Sequence, residues 1–300
     1  MAHKEFLSKM LFLCILQNGK ITYRVKGDLK VFFSGINENC IFVGYSGLNF
    51  IYLLEIINPQ AMIKILSALL FAVMIFMNYL ANALPLNNKT TGELSDSFPN
   101  LFVPAGITFS IWGIIYLLLA VYCVVQFRDS NQEIISKIGW IFAISCVLNG
   151  LWIVAWHYGK LPLSLIIMLG ILVSLLYINI SIRDIPFGII KASFGIYLGW
   201  ICIATIANVT ALLVNQDWNG IGISEETWTI IMIAVGALIA SLALYRLNNP
   251  FIGLAVVWAF TGIILKRQVD FRSIAIAAGI ALTLVALVTV YGFLRKSWAV

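Results

Sequence analysis

Charge is scarce in this sequence and confined to its margins. Only 11% of the 300 residues are Asp, Glu, Lys or Arg, and none sits well inside any of the eight long apolar runs between Met62 and Leu294. Proton- and sodium-coupled carriers place ionisable groups at membrane depth, so the absence argues against an autonomous coupled carrier. No Walker A pattern, no GxSxG elbow and no HExxH motif occurs, which leaves nucleotide-driven and hydrolytic chemistry without visible apparatus. The five cysteines form no CxxC pair and have no histidine at ligand spacing, so neither a disulfide framework nor a metal site is indicated. Cys123, Cys146 and Cys202 fall inside apolar runs, where a thiol behaves as a small hydrophobe. His157, at the end of a run, reads as an interfacial hydrogen-bonding group.

What the chain has in abundance is apolar side chain, 61% of all residues. A soluble surface needs far more polar residues than this leaves. The runs cover about 63–84, 104–127, 138–157, 162–182, 189–214, 228–245, 250–265 and 273–294, each close to the roughly 20 residues of a membrane-crossing helix. The expected fold is therefore an all-α, multi-pass integral membrane protein. Pro104 is expected in the first turn of the second span, where a missing N–H costs nothing. The net charge of +6 comes from basic residues scattered among short loops, not gathered on one face as nucleic acid requires. Lys64, Arg128, Lys137, Arg183, Lys191, Arg246, Arg295 and Lys296 fall on the side of both termini; Lys89, Lys160, Lys266, Arg267 and Arg272 fall on the other. The bias puts both termini in the cytoplasm, with the Lys266–Arg272 loop as its exception.

Residues 1–61 read differently. Leu7–Leu16 is too short to span and is followed by no small-residue cleavage site, and 40–57 is interrupted by Gly44, Gly47, Asn49 and Glu55. The expectation is a poorly structured N-terminal extension, with Met62-Ile-Lys64 resembling a natural start. Three regions result: 1–61, the extension; 62–215, five spans; and 216–300, three spans.

The spans carry amides and indoles at a patterned depth. Tyr197, Trp200, Ala204, Asn208 and Asn215 recur at helical spacing on one stripe, with Thr205 at its edge. Asn78 and Asn82 lie late in the first span, Trp112 and Tyr116 early in the second, Asn149 and Trp152 late in the third. All of these fall in the half of the bilayer beneath loops 85–103 and 215–227. Buried amides need partners, and helix-to-helix bridging accounts for any one of them. Their coincidence in depth points to a shared cleft, apolar and aromatic with a few fixed polar groups, suited to a flat heterocycle. Trp140, Trp156, Trp218, Trp228 and Trp298 lie near span ends and read as interfacial belt residues; Trp258 reads as core packing.

The same residues carry a family likeness. Pro104…Trp112…Tyr116, Leu148-Asn149-Gly-Leu-Trp152 and Tyr197-Leu-Gly-Trp200…Ala204-Thr205…Asn208…Asn215 resemble, in order, motifs of the second, third and fifth helices of the translocator-protein family (TspO/MBR, the tryptophan-rich sensory proteins). The likeness covers about 62–215 and implies a TspO-like five-helix bundle, to which 216–300 adds three C-terminal transmembrane helices. It departs at Val103, where the family has a second proline, and at Leu101, where it has tryptophan. The resemblance implies a pocket for porphyrins, sterols or aromatic ligands, lined by the first, second and fifth helices and lidded by the first loop. The expected ligand-binding residues are Trp112, Tyr116, Asn149, Trp152, Tyr197, Trp200, Ala204, Thr205 and Asn208, with no catalytic residue, metal or cofactor.

Three functions compete on this reading. The favoured one is a sensor or regulator, not an enzyme, that binds a small hydrophobic or tetrapyrrole-like ligand. The others are a permease subunit or facilitator, and an enzyme that degrades a bound porphyrin in light, an activity suggested for relatives. Candidate partners are that ligand, membrane lipid and a second copy of the chain as a homodimer, with no nucleic acid; in a bacterium the location is the cell membrane.

Overall fold

The computed structural model describes residues 13–17, 20–24, 30–32, 59–83, 88–128 and 132–297. Two units separate, at Met62/Ile63. In the first, strands β1 (Leu13–Gln17), β2 (Lys20–Arg24) and β3 (Lys30–Phe32) form an antiparallel meander in chain order, with Leu13 opposite Arg24 and Thr22 opposite Phe32. The rest of the stretch 1–58, including the interrupted apolar run 40–57, lies outside the described residues.

The second unit is all helical. Its long helices are α1 (Pro59–Ala83, which begins just before the boundary), α3 (Ile111–Val125), α4 (Gln132–His157), α5 (Leu161–Ser181), α6 (Ile189–Asn215), α7 (Glu225–Arg246), α8 (Phe251–Arg267) and α9 (Arg272–Ser297); a short α2 (Thr91–Asp96) interrupts the first loop. Seven helical segments among the described residues are long and apolar enough to cross a membrane. The eighth, α8, has 17 residues, about 25 Å at 1.5 Å per residue, against a hydrocarbon core of about 30 Å. It is enclosed by α6, α7 and α9, so its length is set by protein neighbours as much as by lipid.

Side-chain pattern explains which face of each helix turns inward. On α1, Ser67, Phe71, Met74, Asn78 and Ala81 are buried at helical spacing, while Ile65, Leu69, Val73 and Phe76 are exposed as a lipid-facing stripe. Helices α4 and α5 pack together, α5 packs on α6 and α6 on α3. Helix α1 closes the ring through Ser67 Oγ, which donates to Gln126 Oε1 (3.1 Å), and Asn78 Nδ2, which donates to Asn149 Oδ1 (2.8 Å). At the centre, Tyr122, Phe142 and Phe194 meet edge to face with centroids 4.8–5.6 Å apart.

The second span begins differently from expectation. Pro104 precedes the helix; Gly106–Ser110 is a 3-10 turn and regular α-helix starts at Ile111. The cause is tertiary: the Ala105 N–H donates to the Gly262 carbonyl (3.0 Å) and Trp258 Nε1 donates to the Thr108 carbonyl (2.9 Å), which fixes this turn against α8. Trp258 is therefore a half-exposed hydrogen-bonding side chain, not core filler.

Helices α7 and α8 dock along α6, and α9 packs on α7 and α8. A Cβ at Gly199 would collide with the Ile252 carbonyl oxygen, so the α6–α8 crossing depends on a missing side chain. Where α5 gives way to α6 and α7 to α8, Asn249 Nδ2 donates to Asn179 Oδ1 (2.8 Å) and to the Lys191 carbonyl (3.0 Å), and Lys191 Nζ donates to the Arg183 and Asn248 carbonyls (2.7 and 2.8 Å). Lys191, read from sequence as a loop-side charge, is fully buried. Its long stem lets one cation serve carbonyls of two loops at once.

Candidate functional site

The inward stripe of α6 meets α3 and α4 at one end of the bundle. Trp112 is the hub of the aromatic group. It stacks on Tyr116 at 5.5 Å, lies 6.5 Å from Trp152, and stands edge-on to Tyr197 (5.9 Å) and Trp200 (6.1 Å). Phe109, from the 3-10 turn, meets Trp200 edge-on at 5.9 Å. One turn deeper, Asn149 Nδ2 donates to Tyr197 Oη (2.9 Å) while its carbonyl oxygen accepts from Asn78. Three helices are thereby keyed to one another by an amide that spends both its ends.

Of the nine residues expected at the site, Trp112, Trp152, Trp200, Ala204 and Asn208 line a cleft of about 40 Å³. Tyr116, Asn149 and Tyr197 form the stacked and hydrogen-bonded layer next to it. Thr205 does not reach the lining; its hydroxyl donates to the Ile201 carbonyl (2.7 Å), as threonine does in a helix when no better acceptor faces it.

Seven lining residues stand outside the nine expected: Thr91, Ser95, Pro104, Phe109, Trp156, Ile203 and Ala207. Trp156 is buried and stacks on Trp152 at 5.8 Å, which corrects its reading as a belt residue. The signal was present, since Trp152 and Trp156 are four residues apart and share a face. Thr91 and Ser95 belong to α2, the lid. Its signal was also legible: Thr90-Thr-Gly-Glu93 is a capping box, with Thr90 Oγ1 accepting from the Glu93 N–H (3.2 Å) and Glu93 Oε2 accepting from the Thr90 N–H (2.8 Å). The Thr90 N–H and, after it, the Thr90 hydroxyl (2.9 Å) both donate to Glu93 Oε2 and hold its carboxyl below the usual carboxylate range.

The segment after α2 is pinned from several sides. Asn100 Oδ1 accepts from the Phe102 and Val103 N–H groups (3.2 and 3.1 Å), and Phe98 lies against Trp156 at 5.8 Å. Arg267, at the end of α8, donates from Nη2 to the Asn100 carbonyl (2.8 Å) and from Nε to the Leu101 carbonyl (3.0 Å). Lys266 Nζ pairs with Asp96 Oδ1 (2.6 Å). The basic loop that stood as an exception in the charge bias thus has its own work, holding the lid.

Polar groups around the cleft are left over. Thr91 Oγ1, Trp152 Nε1, Trp156 Nε1, Trp200 Nε1 and Asn208 Nδ2 are buried without a hydrogen-bond partner, although Asn208 Oδ1 accepts from Ser164 (3.1 Å). Four of the five are N–H groups that can only donate. Buried donors without partners are uncommon in folded proteins, and five around one cleft call for a physical reason.

Fold and site together define a multi-pass helical membrane protein with a lidded aromatic cleft at one end of the bundle. The chain belongs to the TSPO-like protein family, whose model matches residues 64–291. The match runs well past the five-helix region and into α9, so the three C-terminal helices lie within the matched pattern and not outside it. No curated protein and no solved structure matches the chain.

Proposed function

We propose that the cleft binds a flat, hydrophobic, acceptor-bearing molecule of the tetrapyrrole kind, and that the protein acts as a sensor or regulator of that ligand, without turnover. The observation that carries this reading is the set of five unpartnered polar groups around an otherwise aromatic and apolar cleft. Carboxylate, carbonyl or ring-nitrogen acceptors on a planar ligand would answer the four N–H groups, and the indole faces would take its π-surface.

Size adds a condition. A cavity of about 40 Å³ holds a water or two, whereas sites for drug-sized molecules occupy roughly 300–1,000 Å³. Binding therefore requires displacement of α2 and the Phe98–Val103 segment. In this reading ligand binding and lid opening are one event, which gives a regulator its two states. Both termini are assigned to the cytoplasmic face on the positive-inside bias, which leaves the lid and cleft opening on the opposite side.

Protoporphyrin IX titrated into the purified full chain tests the reading through quenching of tryptophan emission. Saturable quenching is expected, and Ala204→Phe, which fills the cleft from α6, should abolish it while leaving the melting temperature close to wild type. Undiminished quenching in a folded Ala204→Phe protein would refute binding at this wall.

A further inference from the structure

A second cavity, of about 380 Å³, sits at the end of the bundle where α6 passes into α7 and shares no lining residue with the cleft. Its walls come from the end of α6, the start of α7, the loop between them and the Pro99–Phe102 segment. It exists only because α7 docks beside the end of α6 and the Pro99–Phe102 segment. Its volume lies within the range of small-molecule sites.

Its chemistry is of one kind. Trp218 and Trp228 stand with centroids 5.2 Å apart and planes at 55°, and Trp228 is held there by Nε1 donation to the Gly220 carbonyl (2.8 Å). The charged side chains on the lining are Asp217 and Glu225, both carboxylates. Asp217 makes no ion pair among the described residues. Arg267, which interacts electrostatically with Glu225, lines the adjoining cavity and spends its guanidinium on the Asn100 and Leu101 carbonyls. Two carboxylates repel an anionic tetrapyrrole. A hard metal ion gains little from indole walls and wants more oxygens than two side chains bring.

We propose that this cavity is a second ligand site, for an organic ammonium group bearing an apolar substituent. The indole faces attract the cation, the carboxylates balance its charge, and the apolar walls supplied by Leu213, Val214 and Met232 accept the substituent. The site does not rest on the cleft's function. The same ammonium chemistry occurs on free amines and on choline lipid headgroups.

Calorimetric titration of the full chain in nanodiscs of phosphatidylglycerol tests this, with benzyltrimethylammonium as probe and its neutral isostere neopentylbenzene as control. The cation should bind saturably and at least about tenfold more tightly than the isostere, the range expected for a desolvated cation on indole. Asp217→Asn and Glu225→Gln should each weaken the cation several-fold and leave the isostere unchanged, and Ala204→Phe should leave both unchanged. Asp217 has a φ of 50°, a left-handed conformation that asparagine adopts readily, so its replacement keeps the loop. An unchanged melting temperature in the same variants shows them folded. Competition from phosphatidylcholine added to the discs assigns the natural ligand to a lipid headgroup; its absence assigns a free amine. Equal affinity for the two probes, no saturable heat from the cation, or full affinity in both carboxylate variants would overturn the proposal.

Discussion

Lys266 Nζ lies 2.6 Å from Asp96 Oδ1, a pairing of residues 170 positions apart in sequence. It joins the last turn of α8 to the lid helix α2. The side chains of Lys266 and Asp96 are 27% and 56% exposed, and a pair so exposed is worth about 0–1 kcal/mol. Its role is to set where the lid rests. The neighbouring Arg267 does more, because two carbonyls of the lid segment have their partners in its guanidinium.

Arg267→Ala should therefore loosen the Phe98–Val103 segment with little global effect. Hydrogen exchange of the amides there is expected to rise at least several-fold while the melting temperature changes by a few degrees at most. Association of protoporphyrin should become faster if lid opening limits binding. Unchanged exchange in this segment would show that Asn100's own hydrogen bonds suffice to hold it.

Trp200→Phe separates stability from binding. Phenylalanine keeps most of the ring and its contacts with Trp112 and Phe109 but removes a buried N–H that has no partner. An unmet buried donor costs about 1–3 kcal/mol, so the variant should melt at the wild-type temperature or above it. Porphyrin affinity should fall several-fold, because a donor to the ligand is gone. A drop in melting temperature would mean that Nε1 has a partner in the folded protein.

Asn149→Leu should be costly. It strands Asn78 Nδ2 of its cross-helix acceptor and Tyr197 Oη of its donor. A loss of about 1–3 kcal/mol is expected, read by thermal unfolding in detergent, with Tyr197→Phe recovering part of it in the double mutant.

Gly199→Leu should detach the α6–α8 contact, since even a Cβ collides with the Ile252 carbonyl. Cross-linking between cysteines placed on α6 and α8 should decline. Both the 380 Å³ cavity and its ammonium binding should be lost together.

The lid helix should also respond to acid. Glu93 has a depressed pKa because the ionised carboxylate accepts from Thr90. Its contribution is therefore present at neutral pH, above the ordinary carboxylate value, and is lost as pH falls through the lowered folded value. Protection of the α2 amides, taken relative to their intrinsic exchange at each pH, should therefore fall as the solution is acidified through and below the ordinary carboxylate range, and Glu93→Gln, which still caps but does not titrate, should flatten that fall.

The amino-acid order by itself determined that the described residues from Pro59 onward form a bundle of long apolar helices, because apolar runs without charge leave no other way to satisfy the backbone in lipid. Helical spacing and span direction also put Trp112, Trp152, Trp200, Ala204 and Asn208 at a shared depth, and these five do line one cleft. Tertiary structure decided what local spacing cannot encode. It brought Trp156 into the cleft and left Thr205 out, because the rotation of each helix is set by its neighbours. It buried Lys191, turned Lys266 and Arg267 from a charge-bias exception into the lid's fastening, and made a second cavity where α6 meets α7. Each of these depends on contacts between segments tens to hundreds of residues apart, and their energies are realised only once the helices have chosen partners.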